Sequence, residues 1–145
     1  MRRRHRGVTL IELLTVLIIV AILAAIATPS YREHMRRGDR AAAKTALLED
    51  AQFLERNRTI TNRYDQDDAG NPITAASLPV SQAPKEETAR YVITLTNLTA
   101  ATYTLNAVPR AGGPVDGDGC GTFTLNERAQ KSVTGSAPLS QCWNR

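Results

Sequence analysis

The sequence Arg6-Gly7-Val8-Thr9-Leu10-Ile11-Glu12-Leu13-Leu14 opens a long apolar segment that holds a single carboxylate. From Val8 to Thr28 there are 21 residues, and Glu12 is the only charged one. A helix of about 20 apolar residues can cross the hydrocarbon of a bilayer, so this segment predicts a transmembrane helix. An ionisable side chain at that depth costs about 2.5 kcal/mol or more, which indicates a functional role and a cationic partner for Glu12.

A short basic leader precedes the apolar segment. The chain of 145 residues has 18 Lys and Arg against 14 Asp and Glu, and four of the cations are Arg2, Arg3, Arg4 and Arg6. A chain cut after Gly7 would keep 14 cations (18 − 4) against 14 anions. The basic balance therefore belongs to the leader and gives little support for a nucleic-acid partner. Arginines also follow the segment, so charge bias alone leaves its orientation in a membrane open.

An ordinary secretory signal peptide is the alternative reading of this end. Ala25-Ile26-Ala27 matches the small-x-small pattern of a signal-peptidase site. The apolar run is longer than the roughly 7 to 15 residues of a signal-peptide core, and such a core has no need of Glu12. The glutamate therefore favours a helix that stays with the mature protein.

The segment from Gly7 to Leu14 resembles the processing site of type IV pilins. In that family a prepilin peptidase on the cytoplasmic face cuts after the glycine and N-methylates the new first residue, which would be Val8 here, where the family more often has Phe. The resemblance implies a structural subunit of a type IV pilus. It would be a single-pass inner-membrane precursor with a periplasmic C-terminal domain, assembled with other pilins by the inner-membrane pilus machinery into an extracellular filament.

Cleavage after Gly7 would create an α-amino group at the end of the apolar helix, with an ordinary pKa of about 7.7 to 8.0. When a subunit leaves the bilayer, its apolar helix packs against the apolar helices of other subunits in the filament core. We therefore expect Glu12 to assist assembly by pairing with the amine of an adjacent subunit. Pro29 should bend the helix near residues 25–28, because proline removes an intrahelical hydrogen bond.

The rest of the chain predicts an α+β domain. We expect five regions: a cleaved leader at 1–7, a transmembrane or filament-core helix at 8–29, an amphipathic half of the same helix at 30–58, a long loop at 59–89, and an antiparallel sheet at 90–145. Apolar and polar residues alternate in about four strands, at residues 91–96, 102–107, 122–126 and 131–134. The long N-terminal helix should pack across this sheet, as in the pilin family. The apolar half of this helix should protrude from the domain or be embedded in the membrane. The loop should pack on the sheet and contribute to subunit contacts.

The two cysteines, Cys120 and Cys142, fit a disulfide in an oxidising compartment better than a metal site with four ligands. The run from Cys120 to Asn126, followed by residues 133–136 and Cys142-Trp143, resembles the disulfide-bounded region of the PilE-like pilins of Gram-negative bacteria. This second resemblance lies at the opposite end of the chain from the first.

The sequence predicts no enzyme, no cofactor and no metal. The two histidines are not placed for nucleophilic catalysis, and phosphate-loop and zinc patterns are lacking. The acidic residues at 65–68, and Asp116 with Asp118, are solvated loops more often than calcium sites.

Two functional alternatives remain open. Some PilE-like minor pilins are DNA receptors for natural transformation, and the cations that could bind phosphates are scattered here: Lys85, Arg90, Arg110, Arg128, Lys131 and Arg145. Their scatter favours a solvated surface over a DNA-binding stripe. A pseudopilin of a type II secretion system shares the Gly7 to Glu12 signature, but the cysteine-bounded tail favours a pilus. Major versus minor status, and a role in adhesion, twitching motility or DNA uptake, stay open.

Overall fold

The computed structural model describes residues 9–144, which form two helices, a short 3₁₀ turn and one antiparallel sheet of five strands. The elements are α1 (Leu10–Thr61), the 3₁₀ turn (Ala75–Ser77), β1 (Gln82–Ala83), β2 (Tyr91–Thr96), β3 (Thr104–Pro109), β4 (Phe123–Asn126), β5 (Lys131–Val133) and α2 (Leu139–Trp143). The chain divides into two compact units, and the boundary between them follows Met35.

Helix α1 is continuous from Leu10 to Thr61, three residues beyond the end expected at Arg58. Pro29 lies inside this helix, and helical structure is assigned on both sides of it. The bend expected at Pro29 stays a prediction. In the second unit, α1 buries a stripe that includes Ala43, Leu47 and Leu54, each with no exposed surface. The spacings of four and seven residues place these side chains on one face of the helix.

The sheet is a meander in which each strand pairs with the next along the chain, in the order β1 to β5. The four expected strands are present, and β1 is a fifth. Gln82 pairs with Val92 and Ala83 with Tyr91. A strand of two residues has no readable alternation, and it forms here because Ala83 is buried against the core.

The two faces of the sheet differ sharply in chemistry. The inner face buries large apolar side chains, among them Tyr91, Ile93, Leu105, Phe123 and Leu125. The outer face is made only of uncharged residues, namely Gln82, Val92, Thr94, Thr96, Thr104, Asn106, Val108, Thr124, Asn126 and Ser132. This alternation sets the register, since a slip of one residue would exchange the faces.

The segment expected as a long loop contributes to the hydrophobic core. Ile73, Leu78 and Val80 are all at least 93% buried and belong to the same core cluster as Leu47 and Leu125. These side chains share the core with the inner face of the sheet, and a role of the segment in subunit contacts stays a prediction.

Four acidic or basic side chains are buried in the described part of the second unit: Asp39, Arg40, Asp50 and Asp118. The Arg40 guanidinium holds both carboxylate oxygens of Asp118, at 2.8 Å from Nε and 2.5 Å from Nη2. Asp39 lies 3.7 Å from Arg90 across the fold. These pairs join the start of the packed part of α1 to the residue before β2 and to the loop before Cys120, because a buried charge requires a partner.

Candidate assembly site

The first unit presents an apolar helix surface that no residue of the described range 9–144 covers. The large side chains from Leu10 to Ile26 are all at least half exposed, from 50% at Leu14 to 83% at Leu10. Helix α1 is long and apolar enough, by length and composition, to cross a membrane. A contiguous apolar surface of this size marks a lipid or protein interface.

Glu12 lies in the first turn of α1, next to the helix cap. Thr9 precedes the helix, and its Oγ1 accepts a hydrogen bond from the Glu12 backbone N–H at 3.3 Å. A threonine in this position satisfies one of the free N–H groups at a helix start, and a carboxylate in the first turn is favoured by the helix dipole. We did not predict this cap, although Thr followed three residues later by Glu is its usual signature.

The carboxylate of Glu12 is exposed and has no ion pair within residues 9–144. Its backbone carbonyl accepts a hydrogen bond from the Thr15 hydroxyl at 2.9 Å. The site thus has one acceptor group available beside an apolar helix face. Gly7 and Val8, the expected cleavage site, lie outside the described residues.

Cys120 and Cys142 form the expected disulfide, with Cα atoms 5.8 Å apart. Both cysteines are fully buried, and the neighbouring Trp143 packs edge-on against Phe123, with ring centroids 5.7 Å apart. The indole N–H of Trp143 donates to the Ser132 carbonyl at 3.1 Å. The disulfide and the tryptophan together attach α2 to β4 and β5.

Three of the six cations considered for DNA binding are beside carboxylates. The Nζ atom of Lys85 lies 3.0 Å from Oε1 of Glu49. The Nε atom of Arg90 lies 3.7 Å from Oδ1 of Asp39, and that of Arg128 lies 3.4 Å from Oε1 of Glu127. Lys131 lies over the Trp143 ring at 5.2 Å from its centroid. Arg110 is exposed and makes no ion pair with another described residue. Arg145 lies outside the described residues.

Three acidic residues of the two loops, Asp65, Asp67 and Asp116, are engaged in local contacts. Arg63 donates to both oxygens of Asp65, at 2.6 and 2.8 Å, and holds the pKa of that carboxyl below its usual range. Hydrogen bonds from Asn71 lower the pKa of Asp67 in the same way. Asp116 accepts from the Gly112 N–H at 2.7 Å. These carboxylates brace their own loops.

An apolar N-terminal helix of membrane-spanning length, followed by an α+β domain with a C-terminal disulfide, defines a pilin-like protein. A family model described as "Type IV minor pilin ComP, DNA uptake sequence receptor" matches residues 29–124, and a model of the prokaryotic N-terminal methylation motif matches residues 2–28. The chain belongs to this family of type IV pilins, as the resemblance of Gly7 to Glu12 predicted. The family is one of structural pilins and not of enzymes.

The chain is similar to known fimbrial and pilin proteins. Fimbrial protein Q of Moraxella bovis is 30% identical over 141 residues, which cover 91% of this chain and 76% of that protein. The crystal structure of the non-core minor pilin PilV of Neisseria meningitidis covers 72% of this chain and 92% of its own, at 23% identity and a TM-score of 0.48.

Proposed function

We propose that the chain is a subunit of a type IV pilus that is held in the inner membrane by α1 and then enters the filament through the same helix. Its partners are other pilin subunits, the prepilin peptidase and the inner-membrane assembly machinery. The exposed apolar surface from Leu10 to Ile26, with Glu12 as its one charge, carries the proposal. Such a surface is stable only in lipid or against other apolar helices.

Processing between Gly7 and Val8 is the first step of this function. The match of residues 2–28 to the N-terminal methylation motif supports it. Intact-mass measurement on the protein extracted from membranes tests this step. We expect loss of residues 1–7 and the gain of one methyl group on Val8. Loss of the chain through Ala27 would instead identify a secretory signal peptide.

Glu12 neutralises the new α-amino group of a neighbouring subunit when the helix leaves the lipid. The exposed carboxylate, which has no ion-pair partner in the described chain, is free for such a contact. An uncompensated charge buried between helices typically destabilises by about 3 to 5 kcal/mol, so one missing partner would prevent stable packing.

The charge of Glu12 can be tested separately from maturation. Glu12→Gln should be cleaved and methylated like the wild type, yet its incorporation into sheared filaments should fall at least tenfold. Glu86→Gln removes an exposed loop carboxylate and is the matched control, with incorporation unchanged. Normal incorporation of Glu12→Gln would exclude the charge-neutralising role.

DNA uptake is the second candidate function. The description of the matching family model as a DNA uptake sequence receptor favours it specifically. Arg110 and Lys131 are the described candidates without a carboxylate partner, so they are the first residues to test for phosphate contacts.

A gel shift with the processed full chain in detergent, at low and moderate salt, tests DNA binding. Arg110→Gln should weaken binding and reduce its salt dependence, because one phosphate contact is lost. Lys85→Gln is the control, since Lys85 lies beside Glu49. Absence of salt-sensitive binding in the wild type would remove this candidate and leave the subunit function intact.

Deletion of the gene that encodes the chain distinguishes a pilus subunit from a pseudopilin of a type II secretion system. The family match and the fimbrial relative support a pilus subunit. Deletion should therefore impair surface fibres or a pilus-dependent process. Intact pili together with failed protein secretion would indicate a pseudopilin.

A further inference from the structure

Asp50 is a fully buried carboxyl group on the packed face of α1. Its Oδ1 accepts a hydrogen bond from the Val80 N–H at 3.0 Å. Its Oδ2 is buried and has no hydrogen-bond partner among the described residues. An ionised carboxylate has about four acceptor sites, so a single donor leaves most of its charge unsolvated.

The segment that Asp50 holds leads directly into the first strand of the sheet. The Ser81 carbonyl accepts from the Ile93 N–H at 2.9 Å, and the Ala83 carbonyl accepts from the Arg90 N–H at 2.8 Å. Val80 itself is 2% exposed. Residues 80–83 are therefore attached on one side to α1 through Asp50 and on the other side to β2.

Two charged groups act electrostatically on Asp50, one on α1 and one on the segment after β1. Glu49 is its neighbour on α1, and Lys85 comes from the segment after β1. Glu49 and Lys85 form an ion pair with each other at 3.0 Å, close to half exposed, so their effects on Asp50 largely cancel. Burial is the largest cause of the raised pKa of Asp50, which is about 7.

We propose that Asp50 is a proton-controlled latch between α1 and residues 80–83. With its proton bound, Asp50 is a neutral group that fits the buried site and keeps the segment closed on the helix. Ionisation places a negative charge on an oxygen without a donor, and the segment then opens to let water reach the carboxylate. This inference concerns the folded domain and does not depend on pilus assembly or on DNA binding.

The latch gives the domain a defined dependence on pH. The pKa of Asp50 is raised in the folded state, to about 7 from 3.8, so the folded chain keeps a proton that the unfolded chain loses. The contribution of this proton to the stability of the folded domain is complete below about pH 4 and is lost as the pH rises toward 7. Between about pH 5 and 6 the folding equilibrium constant should fall close to tenfold per pH unit.

Equilibrium unfolding of the full chain in detergent micelles tests the latch. Trp143 is the single tryptophan and is buried in the second unit, so its fluorescence reports unfolding there. Asp50→Asn keeps an acceptor for Val80 and imitates the protonated form. We expect the wild type to gain stability from pH 7 to pH 5 and Asp50→Asn to lose most of that slope.

Glu49→Gln is the matched control, because it removes the neighbouring carboxylate and should retain the slope. Asp39 is a second carboxyl whose pKa is raised, chiefly by burial, and it is present in both proteins. The difference between wild type and Asp50→Asn therefore isolates Asp50. Equal slopes in the two proteins would overturn the proposal.

Two measurements on the wild type keep the proposal testable if Asp50→Asn does not fold. The carboxyl ¹³C resonance of Asp50 should titrate near pH 7, and titration near pH 4 would refute the latch. Hydrogen exchange of the Val80 and Ile93 amides, corrected for the intrinsic pH dependence of exchange, should lose protection between pH 6 and 8. Unchanged protection across that range would also refute it.

Discussion

At the scale of single residues, the buried tyrosines Tyr91 and Tyr103 differ in the hydrogen bonding of their hydroxyl groups. The Tyr91 hydroxyl is buried and has no hydrogen-bond partner among the described residues. The Tyr103 hydroxyl donates to Glu55 Oε1 at 3.1 Å, and Tyr64 donates to the same oxygen at 2.9 Å. A buried polar atom without a partner carries a desolvation cost that a bonded one recovers.

We predict opposite effects of removing these two hydroxyls. Tyr91→Phe should be neutral or stabilise the domain by about 1 kcal/mol, because it deletes an unpaired polar atom. Tyr103→Phe should destabilise by about 1 to 2 kcal/mol, since a hydrogen bond to a carboxylate is lost. Urea unfolding followed by Trp143 fluorescence measures both, and clear destabilisation by Tyr91→Phe would contradict this account.

The buried pair of Arg40 and Asp118 gives a second prediction. Arg40→Ala leaves the Asp118 carboxylate in a site that is 6% exposed, so we expect a loss of about 3 kcal/mol or more. Arg110→Ala removes an exposed arginine and should change stability by less than about 0.5 kcal/mol. The same unfolding measurement compares the two variants. Similar stabilities would show that the Arg40–Asp118 pair contributes little to the free energy of unfolding.

At the scale of elements, alternation and helical spacing located most of the fold. Strands β2, β3 and β4 lie at or within two residues of the positions that alternating residues predicted, because one face of each is buried. β5 also lies at its predicted position, although only Val133 in it is partly buried. β1 and the core contacts of Ile73 and Val80 were not predicted, since they depend on tertiary packing. The Arg40–Asp118 pair joins residues 78 positions apart, and no local pattern relates them. Of the candidate site, the apolar segment and Glu12 were readable because the charge interrupts an otherwise uniform run.

Two glycines in different elements should respond oppositely to alanine. In α1, a Cβ on Gly38 would meet no atom within 4 Å, so Gly38→Ala should stabilise by about 0.5 to 1 kcal/mol. After β5, a Cβ on Gly135 would collide with the Gly119 carbonyl oxygen and lie 2.6 Å from the Cys120 carbonyl carbon. Gly135→Ala should therefore destabilise by about 2 kcal/mol or more, with thermal unfolding as the measurement. Wild-type stability of Gly135→Ala would show that this turn can rearrange freely.

The disulfide belongs to the same C-terminal region. Cys120 and Cys142 are separated by 22 residues, and closing a loop of this length stabilises by roughly 3 kcal/mol in the chain-entropy treatment. We expect the Cys120→Ser/Cys142→Ser double variant to lose about that much stability in urea unfolding. The matched comparison is the wild type after reduction, which should lose a similar amount.

At the scale of the whole molecule, processing would change the electrostatic character of the chain. The precursor has a net charge of +4 and an isoelectric point near 9.4. The proposed cut removes four arginines, which leaves 14 cations (18 − 4) and 14 anions. Isoelectric focusing should therefore move the processed chain well below the precursor expressed without prepilin peptidase. Equal positions of the two species would argue against a cut at Gly7.

The outer face of the sheet has a consequence for whatever contacts it. All ten of its side chains are uncharged, in a chain in which 22% of residues are charged. Contacts made there gain their energy from hydroxyl and amide hydrogen bonds and from packing on Val92 and Val108, which salt does not screen. An association through this face should thus have nearly the same affinity at low and at high ionic strength.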